Sequence, residues 1–164
     1  MFLSLLKSTT GYMRPVWNVS AHVGFNGTNY EDDSQLVALG FYCMGRPEAK
    51  IRDPENRAIY AAVPVGPKCT GTANDPIVVA IRAFQKSRGG TQDGVVSTMK
   101  EAGGYTDATG ASRASMILIL NNNMFDMLPD SPLFWPRIDR FSNCPPAVKG
   151  HVLNACTLAP APGS

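Results

Sequence analysis

The stretch from Asp75 to Gly94, Asp-Pro-Ile-Val-Val-Ala-Ile-Arg-Ala-Phe-Gln-Lys-Ser-Arg-Gly-Gly-Thr-Gln-Asp-Gly, admits few local structures. Asp75 suits a helix N-cap, and Pro76 suits the first turn, where its missing N–H leaves no bond unmade. Ile77, Ala80, Ile81 and Phe84 recur at i, i+3, i+4 and i+7, one apolar face of a helix. Lys86 and Arg88 fall near the negative end of the helix dipole, and Gly89-Gly90 stops it. The spacing predicts a helix over 77–88, then an Asp93-Gly94 turn leading into Val95-Val96.

Two more helices are expected around this one. Asp32-Asp33-Ser34 offers a cap for Gln35 to Met44, where Leu36, Leu39, Tyr42 and Cys43 have helical spacing, Val37 and Phe41 widen the face, and Gly45 ends it. Gly40 weakens that helix by about 1 kcal/mol relative to Ala. Ser112 can cap a third, 113–122, although the apolar run Met116 to Leu120 fits a buried strand equally well. Between the helices, 46–74 reads as a long loop, polar and exposed from Arg46 to Arg57. Ser97 to Ser112, rich in Gly, Thr and Ala, reads as a surface loop.

The ends have a different character. Residues 1–17 form an arm with at most one strand or short helix, and Val16 to Phe25 is extended up to a turn at 26–29. After Asn123, large apolar residues are interleaved with Pro129, Pro132 and Pro136 without period, and Pro145-Pro146 and the Ala-Pro-Ala-Pro-Gly-Ser end read as extended. The expected organisation is an N-terminal arm at 1–29, a helical domain at 30–123 and a Pro-rich arm at 124–164. Leu3, Leu5, Leu6, Phe125, Phe134 and Trp135 need a surface to cover them, and a neighbouring chain is the expected one.

Three segments bear a family likeness. Ala-Ile-Arg-Ala-Phe-Gln85 followed by Asp93-Gly-Val-Val resembles the second half of the small peptidoglycan-binding domain, in which a helix ending in Phe-Gln precedes an Asp-Gly turn and a last helix. Val23-Gly24-Phe25-Asn26, with Asn29 and the Asp-capped helix after it, resembles the opening of variants of that domain in phage and secretion-system proteins. Val63 to Gly71 is similar to the turn between the family's helices, without its usual Asp-Gly. The likeness favours a helix at 113–122, since the family's third helix ends in a similar Leu-Asn. It implies a mainly α fold: a small three-helix bundle with long loops and extended, irregular arms.

Chemistry is sparse by comparison. His22 and His151 each lie in turn-rich sequence, Asp32-Asp33 is explained by capping, and the paired glycines lack a phosphate loop's strand and Lys-Ser/Thr. No catalytic residue, metal ligand or cofactor is expected. Cys43, Cys69, Cys144 and Cys156 read as free, mostly buried thiols; a bridge between Cys144 and Cys156 is the best disulfide candidate, and zinc at Cys144, His151 and Cys156 lacks a Cys-x-x-Cys pair. A net charge of +2 without a basic stripe argues against nucleic acid, and no apolar run reaches the roughly 20 residues of a membrane span. The N-terminus lacks the regions of a signal peptide, so the expected location is a virion or the bacterial cytoplasm.

A binding module fits better. Arg82, Gln85, Arg88, Gln92 and Tyr105 gather near the end of the central helix and its loops, as hydrogen-bonders for muramyl-peptide carboxylates and acetamido groups. The expected function is a non-catalytic module of a phage virion or injection apparatus, with other subunits as partners and peptidoglycan as a further one. The alternative is a free-standing peptidoglycan binder or an accessory domain of a wall hydrolase.

Overall fold

The computed structural model describes residues 1–7, 13–99, 104–106, 112–128 and 137–158. In chain order these form strands β1 (Phe2–Lys7), β2 (Met13–Asn18) and β3 (Val23–Gly24), then helices α1 (Glu31–Gly45), α2 (Pro54–Ala61) and α3 (Pro76–Ser87). Strands β4 (Val95–Val96), β5 (Gly104–Thr106) and β6 (Ser112–Ala114) follow, then helix α4 (Met116–Asp126), a 3-10 turn at Ile138–Arg140 and helix α5 (Pro146–Leu158). The chain is mainly helical, as expected, with three two-stranded antiparallel sheets, β1-β2, β3-β4 and β5-β6.

Helix α3 forms where its caps predict. Asp75 Oδ1 accepts the Ile77 N–H at 2.8 Å, while Oδ2 takes the Thr70 N–H and hydroxyl, each at 2.7 Å. Ile77, Ala80, Ile81 and Phe84 are buried, and Val79 on the opposite side is 40% exposed. Helix α1 is the central member, packed by α2, α3, α4 and α5. Gly40, a weakness in isolation, is needed here: a Cβ on it would stand 2.8 Å from Leu120 Cβ, so it lets α4 cross closely.

Several expectations are corrected. The 46–74 loop contains α2, because Asp53 caps it through the Glu55 and Asn56 N–H groups and Pro54 opens its first turn. Tyr60 of α2 is buried and stacks on Phe41, with ring centroids 5.3 Å apart. Asp33 does not cap α1. It is buried inside that helix and receives the Ser20 and Ala21 N–H groups at 2.9 and 3.0 Å, fixing the preceding turn instead. Ser112 to Ala114 pairs as β6 with β5, so the third expected helix starts at Met116 and runs to Asp126.

The described parts of the arms form more regular structure than expected. Strands β1 and β2 pair antiparallel, and β2 is stitched to α4: Asn121 Oδ1 accepts the Trp17 N–H at 2.8 Å, and its amide donates to the Trp17 carbonyl at 2.7 Å. Trp17, Val19, Met124, Ile138, Val148 and Val152 all join the buried cluster. Helix α5 forms because Pro146 sits in its first turn and Val148 and Val152, four apart, face inward. Cys43, Cys69 and Cys144 are free thiols, as expected, so the candidate Cys144–Cys156 bridge does not form.

Candidate ligand-binding site

A junction of several segments lies at the end of α3. Strand β3 pairs with β4, Val23 opposite Val96 and Gly24 opposite Val95. Gly24 has φ +122°, and a Cβ there would stand 2.0 Å from the Gly94 carbonyl oxygen, so no other residue allows this approach. Asn29 closes the same turn: its Oδ1 accepts the Gly24 N–H at 2.7 Å and its amide donates to the Gly24 carbonyl at 3.0 Å. The Asn26 N–H then reaches the Gly71 carbonyl at 3.1 Å. Three separate segments, 23–29, 71 and 94–96, therefore meet here.

Gln85 locks the Asp93-Gly94 turn onto this junction. Its Nε2 donates to Asp93 Oδ1 at 2.6 Å and to the Val95 carbonyl at 3.2 Å, and its Oε1 accepts the Gly94 N–H at 2.9 Å. Its amide is thus engaged within the chain, and as a ligand contact it would have to exchange these bonds. Arg82 lies against the same turn, its guanidinium carbon 4.8 Å from the centroid of the Phe25 ring. A guanidinium stacked on a half-buried aromatic presents a flat polar edge beside an apolar face, which suits a sugar or an acetamido group.

The other expected residues are more scattered. Arg88 is the C-cap of α3 and lies over Phe84, 5.5 Å from its centroid. Six positions beyond Arg82, it points about 120° away around the helix. Gln92 is exposed in the connection before Asp93. Tyr105 is in β5, and its side chain lies outside the described residues, as do those of Leu5 and Leu6; Phe134 and Trp135 lie outside them entirely. Of the expected partner-binding residues, Leu3 and Phe125 are half-buried. Arg82, Gln85, Arg88 and Gln92 do not line the shallow groove of about 200 Å³ formed by Glu48, Ala49, Lys50, Asn123, Asp126 and Met127.

Sequence reasoning missed two polar contacts. His22 Nδ1 lies 3.1 Å from Ser97 Oγ, both exposed, and among the described residues no carboxylate bonds the other ring nitrogen to orient it. Proximity of residues 22 and 97 follows from the β3–β4 pairing, which no local pattern announces. His151, expected in a turn, is on α5 with Nε2 3.0 Å from Asp32 Oδ2. Burial pushes the Asp32 carboxyl up, but the bond and charge of the Met1 amine, the Asp33 N–H and His151 outweigh it and hold the group below its ordinary value.

Burial pushes the Cys43 thiol up to about 12 and the Cys69 and half-buried Cys144 thiols up to about 11, which disfavours the nucleophilic thiolate. Among the described residues no group of three His, Cys, Asp or Glu is placed to hold a metal ion, and no helix is long and apolar enough to cross a membrane. Comparison with protein-family models, curated proteins and solved structures gives no match.

Proposed function

We propose that this chain is a non-catalytic binding and structural module with a peptidoglycan-binding-like helical core, working in a phage virion or injection apparatus against cell wall or neighbouring subunits. The observation that carries the reading is the α3 junction. Val23-Gly24, Asn29, Phe84-Gln85 and Asp93-Gly-Val-Val are the segments that resemble the peptidoglycan-binding domain in sequence, and they are the segments that converge in space. Arg82 on Phe25, with exposed Gln92 nearby in sequence, supplies the polar and aromatic surface for an amide-rich glycan.

A specific observation favours the alternative of a free-standing wall binder. In the described parts of both arms, Trp17, Ile138, Val148 and Val152 are buried against the helices, so these side chains need no second chain to cover them. Co-sedimentation with purified peptidoglycan sacculi tests the common claim. Retention in the pellet is expected, with no loss of turbidity. A chain left wholly in the supernatant would reduce the reading to a scaffold without sugar binding, and clearing of the suspension would make it a wall-cleaving enzyme.

A further inference from the structure

We propose that β1 is a self-association edge: two copies add their Phe2–Lys7 strands antiparallel across a two-fold axis, joining two β1-β2 pairs into one four-stranded sheet. This rests on the assembly half of the reading above, in which the chain engages neighbouring subunits. Among the described residues, β1 has β2 as its ladder partner and no strand on its other side. Such an edge offers alternate N–H and C=O groups to a second strand. Edges meant to stay bare are commonly blunted by proline, bulges or charge, and Phe-Leu-Ser-Leu-Leu-Lys carries none of these before Lys7. Phe2 is 42% exposed.

The charges at the two ends select the occupant and its direction. At the Phe2 end, the Met1 amine rests on Asp32 and Asp33, His151 also faces Asp32, and exposed Glu31 shares their helical turn, so three carboxylates face one amine and one imidazole there. At the other end stand Lys7 and, across the ladder from Leu6, Arg14. Antiparallel overlap of β1 with its own copy about a two-fold axis sets residues of one parity opposite each other, either Ser4 opposite Ser4 with Phe2 opposite Leu6, or Leu5 opposite Leu5 with Leu3 opposite Lys7. The basic end of each copy then meets the acidic end of the other, twice by symmetry. Parallel overlap would bring like ends together. A ladder this short buries less area than a permanent dimer does, so the association depends on concentration.

Sedimentation of the full chain across a concentration series tests this. The expected result is a rise from the 17.6 kDa monomer toward twice that mass, weakened by salt. Lys7→Glu places acid against acid at both ends and is expected to raise the dimer Kd about tenfold. Alternate residues of a strand direct their N–H groups to opposite edges, so one of Ser4→Pro and Leu5→Pro blocks the outer edge and leaves the β1–β2 bonds intact. That variant is expected to be folded and monomeric. A single monomeric species throughout, Lys7→Glu associating like the parent, or both proline variants folded and still dimeric would each overturn the proposal. If neither proline variant folds, Lys7→Glu decides. The sacculi assay on Lys7→Glu keeps the two readings apart: pelleting without dimers overturns nothing about wall binding, and dimers of the parent without pelleting leave this edge in place.

Discussion

Asp75 shows how one side chain serves several local structures at once. Burial raises its pKa, but the Thr70 N–H and hydroxyl, the Ile77 N–H and the Cys69 thiol favour the charged form more strongly, so it is held below the ordinary carboxylate value. A depressed folded pKa contributes stability above the unfolded value of about 3.9, and loses it as pH falls through the folded value. Asp75→Asn should therefore cost roughly 1–3 kcal/mol at neutral pH. That difference from the parent should shrink as pH falls below about 4, read from urea midpoints across a pH series. A constant difference over that range would show that the charge of Asp75 is not what holds the Thr70 turn. Gln85 is similarly committed, so its most secure role is positional: it aims the Asp93-Gly94 turn at Gly24.

Helix α3 is where local sequence and tertiary demand agree most fully. Phe84 is 5% exposed and Val79, five positions away, is 40% exposed. Phe84→Ala should cost about 3–5 kcal/mol, and Val79→Ala should stay within about 0.5 kcal/mol. Equal effects of the two on thermal unfolding would mean that the helix is rotated from the described orientation. Helix α3 was legible because its cap, apolar stripe and stop signal coincide. The same Asp-Pro signal stands at Asp53-Pro54, yet α2 was read as loop because Tyr60 alone among its residues is buried, which leaves almost no periodicity to detect. Helix α5 was obscured by Pro145-Pro146, which suits both an extended chain and a first helical turn. The place of Asp33 was not legible at all, since a buried carboxylate receiving N–H groups from residues 20 and 21 looks in sequence like a helix cap.

Across the whole molecule, the core runs beyond the helices that the sequence announces. Val16, Trp17, Val19, Val23, Met124, Ile138, Val148 and Val152 belong to the same buried cluster as Leu36, Phe41, Ile81 and Phe84. A fragment limited to residues 30–123 would lose all of these outer members, and should show no cooperative unfolding transition in denaturant. A sharp transition close to that of the full chain would mean that the arms contribute little to the core. The candidate site was legible to the extent that it lies on α3 and its turn. Its dependence on Gly24, Phe25 and Asn29 required the long-range β3–β4 pairing. The most direct test of the proposed function is a titration of the isotope-labelled full chain with soluble muropeptides, followed by backbone amide shifts. Saturable shifts are expected at Phe25, Arg82, Gln92 and the Asp93–Val95 turn, with the amides around Lys50 and Asp126 unmoved. No shifts at all, or shifts confined to the groove between Lys50 and Asp126, would contradict it.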